Sequence, residues 1–275
     1  MNQQPALTDR ATLTRHRRRA MSDALFLHEA LADEVDERLR EINRTFTDVA
    51  IVTGHPALWQ NRFPDALVVE DAETLALETQ SRDLVIHAMA LHWANDPVGQ
   101  LVQCRRALRP DGLLLAGFFG GQTLQELRVA LAEAESVVTG GLSPRIAPMG
   151  EIRDLGALLQ RAGFALPVAD AFTLTATYQT AFHLMRDLRA MGEANALSAR
   201  LRTPTRRDVM TEAASVYSSH FADDQGRVPA TFEIIVLTGW APDDSQPQPL
   251  RPGSATARLS DALGAVETPL DPTEH

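Results

Sequence analysis

RDLVIHAMALHWANDPVGQLVQCRRALRPDGLLLAGFFGG, Arg82 to Gly121, reads as strand, polar corner, helix, turn and strand. Asp83-Leu84-Val85-Ile86 is a short apolar run led by an acid, the pattern of a buried strand. Asn95 or Asp96 is placed to cap the following helix, with Pro97 in its first turn, where a missing N–H costs nothing. Val98, Leu101, Val102, Ala107 and Leu108 recur at helical spacing, and Arg105, Arg106 and Arg109 load the end where positive charge suits the helix dipole. Pro110-Asp111-Gly112 predicts a turn, because Pro presets φ and Gly accepts a positive φ. Leu113 to Phe119 then predicts a second buried strand. Two buried strands joined by a helix form a βαβ unit, the building block of parallel sheets.

Upstream, the spacing predicts helix over residues 9–42, with Leu27, Leu31, Val35, Leu39 and Ile42 on one face. Strands are expected at Thr47–Val52 and Ala66–Val69, with Thr53-Gly54-His55-Pro56 as the loop between. Downstream, Thr123–Val138 and Asp154–Ala162 read as helices, the second closed by Gly163, with a loop over 140–148. Phe172–Thr175 and Thr231–Gly239 read as strands that bracket a helical cap at about 180–219, broken near Thr203-Pro204. The expected organisation is a helical segment over 1–45, an α/β domain over 46–240 and a mostly irregular, Pro-, Asp- and Ser-rich tail over 241–275.

The chain has 275 residues, 44% of them hydrophobic, enough for one large core. A net charge of −10 argues against a general nucleic-acid binder. No apolar run is long enough to cross a bilayer. The early Arg15, Arg17, Arg18 and Arg19 lack an apolar h-region, and Asp9, Asp23 and Glu29 on either side favour a surface helix over a transit peptide. The single cysteine, Cys104, excludes an internal disulfide, suits a reducing compartment and reads as a small buried hydrophobe. The eight histidines show no HxxxH or Cys-His spacing, so no metal site is expected.

Ligands of open α/β sheets bind beyond the carboxyl ends of the strands. That rule selects Thr53–Pro56, Asp71-Ala72, His87–Trp93 and Phe118–Gly121 as a pocket rim. His87 and His92 there have the residue type of a general base, or of hydrogen-bonded pocket walls. Trp93 offers a face for an adenine or a guanidinium, or is an ordinary core residue. Asn95 and Asp96 read as helix caps. Arg145 lies in a loop that either covers the pocket and binds a carboxylate or faces solvent.

ALHWANDP, RALRPDG, FFGGQTLQELR, GGLSPRIAP, DLGALLQRAGF, DLRAMGEANAL, VPATFEI and the later GW together resemble one family: the methyltransferase-fold assembly factors of respiratory complex I and their bacterial relatives. The malonyl-carrier-protein O-methyltransferases of biotin synthesis are more distantly similar. The likeness covers roughly residues 9–265 and extends to RPGSATARLSDAL at 251–263. It implies a class I S-adenosylmethionine-dependent methyltransferase-like sheet with helices on both faces, and S-adenosylmethionine as cofactor. The mitochondrial member is understood to hydroxylate an arginine of a complex I subunit, so the resemblance implies either methyl transfer or arginine hydroxylation, and a protein partner. It implies a bacterial cytoplasmic or mitochondrial matrix location. On the family pattern Thr53, Gly54, Asp71, Ala72, His87 and Ala88 fall at cofactor positions, His92 and Trp93 at the catalytic centre, and Arg145, Glu193 and Asn195 on the substrate side. The chain departs from the pattern at AIVTGHPALW, where a loop of the form (D/E)-x-G-x-G-x-G belongs and only Gly54 is retained. The interval from Gly54 to Asp83 is short by one early strand, the one whose acid holds the cofactor ribose. A binding chaperone with an eroded cofactor site is the alternative to an enzyme.

Overall fold

The computed structural model describes residues 6–247 and Gly264. By internal packing the chain divides into a unit over Met1–Asp243 and a short second unit over Asp244–His275. Most of the 241–275 tail, including the 251–263 motif, lies outside the described residues.

The N-terminal half begins with α1 (Arg10–Arg17), a single 3-10 turn, and α2 (Phe26–Glu41). The expected continuous helix is thus two, because the chain leaves helical geometry between Arg18 and Leu25 to turn α1 across the end of the sheet. Asp9 caps α1 by accepting from the Thr12 N–H at 3.0 Å. Then come β1 (Val49–Thr53), α3 (Pro56–Arg62), β2 (Leu67–Val69), β3 (Arg82–Ala88), α4 (Pro97–Ala107) and β4 (Leu108–Phe119). Asp96 caps α4 through the Gly99 N–H at 2.8 Å, with Pro97 at its first position. The turn expected at Pro110–Gly112 is absorbed into β4 as an irregularity, with Asp111 at φ 58°. The later elements are α5 (Gln125–Thr139), α6 (Ile152–Arg161), β5 (Ala165–Tyr178), α7 (Ala181–Ala190), α8 (Arg207–Phe221) and β6 (Val228–Trp240). Between α7 and α8 the chain is irregular over 191–206, a wider interruption of the helical cap than the sequence pattern suggests.

The six strands form one sheet in the order β2-β1-β3-β4-β6-β5. β2, β1, β3 and β4 pair in parallel, for example Ile51 beside Ile86 and Ile86 beside Leu115. β6 runs antiparallel to both neighbours, so β5 again points with the parallel set. Among the described residues no strand lies beyond β2 at that edge, which leaves six strands where the family pattern has seven.

Alternation along each strand divides the core into two layers. Ile51, Ile86, Leu115 and Ile234 face α2, α5 and α8, where Leu27, Leu31, Leu127 and Val216 pack. Ala50, Val52, Val85 and Leu114 face α4 and α6, with Leu101, Cys104 and Leu159. Burial pushes the Cys104 thiol up to about 12, so it is an inert packing residue at neutral pH. Gly117 lets α2 seat directly on β4, since a Cβ there would stand 2.2 Å from a Leu31 methyl.

The N-terminus is sewn to the 191–206 segment. The Asp9 N–H donates to the Ala196 carbonyl and the Ser198 N–H to the Leu7 carbonyl, both at 2.8 Å. Asn95 joins the seam by accepting from the Thr8 N–H at 2.8 Å.

Candidate functional site

The carboxyl ends of β1, β2, β3 and β4 open onto a common rim, and the sequence-selected residues divide there into two groups. The first gathers around Asp71, just beyond β2. Asp71 is buried and paired with two arginines of α1, Arg17 at 2.7 Å and Arg10 at 3.1 Å. Burial alone pushes the Asp71 carboxyl up; the two guanidinium groups outweigh it and hold the carboxyl below its usual value. Arg17 is therefore no surface residue: its side chain is 7% exposed, because α1 turns it inward onto the acid. Its guanidinium lies flat against Gly54, where a Cβ would stand 2.3 Å from Cζ. Thr53 ends β1, and its hydroxyl accepts from the His55 N–H at 3.2 Å. His87, fully buried on β3 beside Ala88, meets Gln100 Oε1 at 2.6 Å; Gln100 in turn donates to the Ala72 carbonyl at 3.0 Å. Burial lowers the His87 pKa, which suits a neutral imidazole fixed in the wall.

At the positions where the family pattern places S-adenosylmethionine, other side chains of this chain stand close in. The backbone approach at Gly54 is covered by Arg17, and Asp71 is already engaged by two cations. His55 and Pro56, the latter opening α3, stand where the pattern has further glycines, and Pro56 offers no N–H.

The second group brings together residues about a hundred positions apart. Met89, in the left-handed region at φ 49°, turns the chain from β3 into a 3-10 turn at Leu91–Trp93. The Trp93 indole N–H donates to Glu193 Oε2 at 2.7 Å, and His92 Nε2 lies 3.4 Å from the same oxygen. His92 also packs on Phe119, ring centroids 4.7 Å apart. Burial would raise the Glu193 carboxyl, but His92, Arg17 and Trp93 hold it down to about 2, so it is ionised. A cavity of about 220 Å³ opens beside this cluster, lined by Trp93, Phe119, Phe232, Met185, Arg145 and Glu193 among others. Glu193 is the only carboxylate in its described lining. Arg145 borders it, but is neither solvent-facing nor free for a ligand: it donates to Glu135 at 3.1 Å and to Thr205 at 2.5 Å. Asn195, also on the lining, donates to the Pro144 carbonyl at 2.8 Å and so fastens the 140–148 loop over the cavity.

Sequence reading passed over Arg10, Arg17 and His28. His28 had a signal: it shares the apolar face of α2 with Leu31 and Ala32, and it is 1% exposed. It stacks edge-on with His55, centroids 4.5 Å apart, and ligand atoms of His28, His55 and Glu193 all lie within 4.8 Å of one another. Burial, with His55 alongside, puts the His28 pKa well below the ordinary imidazole value, and burial also lowers that of His55. No spacing could have announced this set, since its members come from three distant segments.

A parallel-sheet rim with a Rossmann-like strand order and one antiparallel strand near the far edge defines a class I methyltransferase fold. The methyltransferase-domain family model matches residues 30–116. The mitochondrial arginine-hydroxylase NDUFAF5 of Danio rerio is 34% identical over 262 residues, covering 86% of this chain and 81% of the relative. The Homo sapiens protein of the same name is 38% identical over 78% of this chain; the chain spans 61% of that relative's length. The malonyl-[acyl-carrier protein] O-methyltransferase of Xylella fastidiosa is 33% identical, covering 83% of this chain and 88% of the relative. The chain belongs to this methyltransferase-fold family, which holds both the arginine-hydroxylase NDUFAF5 proteins and the malonyl-[acyl-carrier protein] O-methyltransferases.

Proposed function

We propose that this chain acts on an arginine side chain of a protein partner, with complex I assembly as its setting and a complex I subunit as that partner. The observation that carries the reading is the cavity beside Glu193. At about 220 Å³ it is smaller than the roughly 300–1,000 Å³ of pockets that hold drug-sized ligands. It has the scale of one side chain. Trp93 and Phe119 supply aromatic faces for a guanidinium, and Glu193 supplies the only carboxylate in the described lining. Two arginines also line it, Arg145 and Arg189; the charge of Arg145 is already answered by Glu135. Arginine is also what the names of the NDUFAF5 relatives specify as the modified residue. Hydroxylation is preferred to methyl transfer because Arg17 covers Gly54 and two arginines engage Asp71. The working compartment is the bacterial cytoplasm or the mitochondrial matrix.

The test is calorimetric titration of the protein with arginine-containing peptides and with counterparts in which citrulline replaces arginine. Preference for arginine, lost in Trp93→Ala and Glu193→Gln, supports the reading; equal affinity for both peptide sets refutes it. Mass spectrometry of peptides incubated with the protein and either dioxygen with a reductant or S-adenosylmethionine then separates the chemistries, since hydroxylation adds one oxygen from the oxidant and methyl transfer a net methylene from the donor. A second reading, an assembly chaperone that binds the partner without chemistry, is favoured by the occupied ground around Asp71. It expects arginine-dependent binding with no change in peptide mass.

A further inference from the structure

His28 of α2, His55 after β1 and Glu193 after α7 meet in the interior, Glu193 also lining the cavity, and what they lack is as informative as what they touch. His28 Nδ1 and Nε2, His55 Nε2 and Glu193 Oε1 are all buried, and none has a hydrogen-bond partner among the described residues. Unpaired buried polar atoms are rare, because each forfeits its hydration without return. Three residues that carry such atoms and bring one ligand atom each within 4.8 Å of the others call for a common partner. Another proton donor or acceptor satisfies one or two; a cation takes one lone pair from each residue, a ring nitrogen of His28, one of His55 and a carboxylate oxygen of Glu193.

From this geometry we propose that His28, His55 and Glu193 form a binding site for a first-row divalent transition metal ion. Two imidazoles and one carboxylate make up the facial ligand set of non-haem Fe(II) centres, and the same atoms accept Co(II), Mn(II) or Zn(II). The ligand atoms lie within 4.8 Å of one another. Two bonds of about 2.0–2.2 Å span at most roughly 4.4 Å, so the set stands within a few tenths of an ångström of the spacing a metal requires. The surroundings are arranged for that. The Trp93 indole and His92 fix Glu193 through Oε2 and leave Oε1 turned to the histidines, the outer support that metal-bound carboxylates have. Three protein ligands leave coordination positions open, and one of the three, Glu193, also lines the cavity. Arg17 is the adjacent cation, and Asp71 balances it.

This site goes beyond the substrate reading and does not depend on it: metal uptake is measured with no peptide present, so either can fail alone. The chelator-treated full-length protein is titrated with Co(II), following the visible d–d absorption. One equivalent is expected to bind. His28→Ala and His55→Ala are each expected to weaken binding by about 10–100-fold or more, at least the loss seen when an outer partner of a metal ligand is removed. Circular dichroism establishes that the variants are folded. Should they fail to fold, the parent protein still decides: Cu(II) loaded at one equivalent is expected to show electron-paramagnetic couplings to two imidazole nitrogens. No Co(II) binding by the parent, unchanged affinity in the His28→Ala/His55→Ala double variant, or a Cu(II) spectrum without imidazole couplings would overturn the proposal.

Discussion

Replacing Asp71 by Ala tests whether the rim is held by its own ion pairs. Asp71 and Arg17 are 4% and 7% exposed in their side chains, 2.7 Å apart. Removing one member of such a buried pair strands the other charge away from water, which costs about 3–5 kcal/mol. Arg10, 26% exposed, can swing into solvent; Arg17, with Nε already unpartnered, cannot. At about 2–4 °C per kcal/mol for a domain of this size, Asp71→Ala is expected to lower Tm by on the order of 10 °C. The expected partner result is that Arg17→Met/Asp71→Leu recovers most of the loss, since an apolar pair of similar volume often matches a buried ion pair. Urea denaturation of the parent, both single variants and the double variant gives the coupling directly. A loss below about 1 kcal/mol for Asp71→Ala, the value of an exposed pair, would refute the reasoning.

The same carboxyl sets an acid limit. Its pKa is lower folded than unfolded, so its contribution is fully present above the unfolded value of about 3.9 and is lost as pH falls through the folded one. The stability of Asp71→Ala should therefore fall less steeply than the parent's over that acid window; parallel curves would contradict it. Gly117→Ala should cost about 1–3 kcal/mol by urea denaturation, because the new methyl meets Leu31 at 2.2 Å with the sheet behind it. Arg17→Met should bind Co(II) more tightly than the parent, since it removes the one cation beside His28, His55 and Glu193; weaker binding in a folded variant would count against that electrostatic account.

The fold was legible where local chemistry decides it. Asp96 and Pro97 start α4 and Gly163, at φ 81°, follows the end of α6, each as the residue types require. The short interval between Gly54 and Asp83 pointed to the absent edge strand. Local pattern failed at the N-terminus, where Arg17 reads as a solvent-facing residue on a basic stretch. Its burial is decided by Asp71, 54 positions away, and no helical period encodes that partner. The Pro110–Gly112 turn survives as a bulge inside β4: the register with β3 jumps between Leu108 and Leu113, and the positive φ falls on Asp111 in place of Gly112. His92 and Trp93 were picked from the sheet rim and their residue types and Glu193 from the family pattern, but their convergence on one carboxylate oxygen comes only from packing. The histidines of the metal set were invisible as a set because a ligand motif needs short spacing to be read, and these span residues 28 to 193.

The seam between residues 7–9 and 196–198 has a mechanical consequence. α1 carries Arg17 at one end of this strap, and the loop that bears Glu193 leads into the other. A pull on the N-terminal residues therefore loads both arms at once: the guanidinium leaves Gly54 and Asp71 as the carboxylate draws away from His28 and His55. Both arms thus share one fastening, two main-chain hydrogen bonds and the Asn95 side chain.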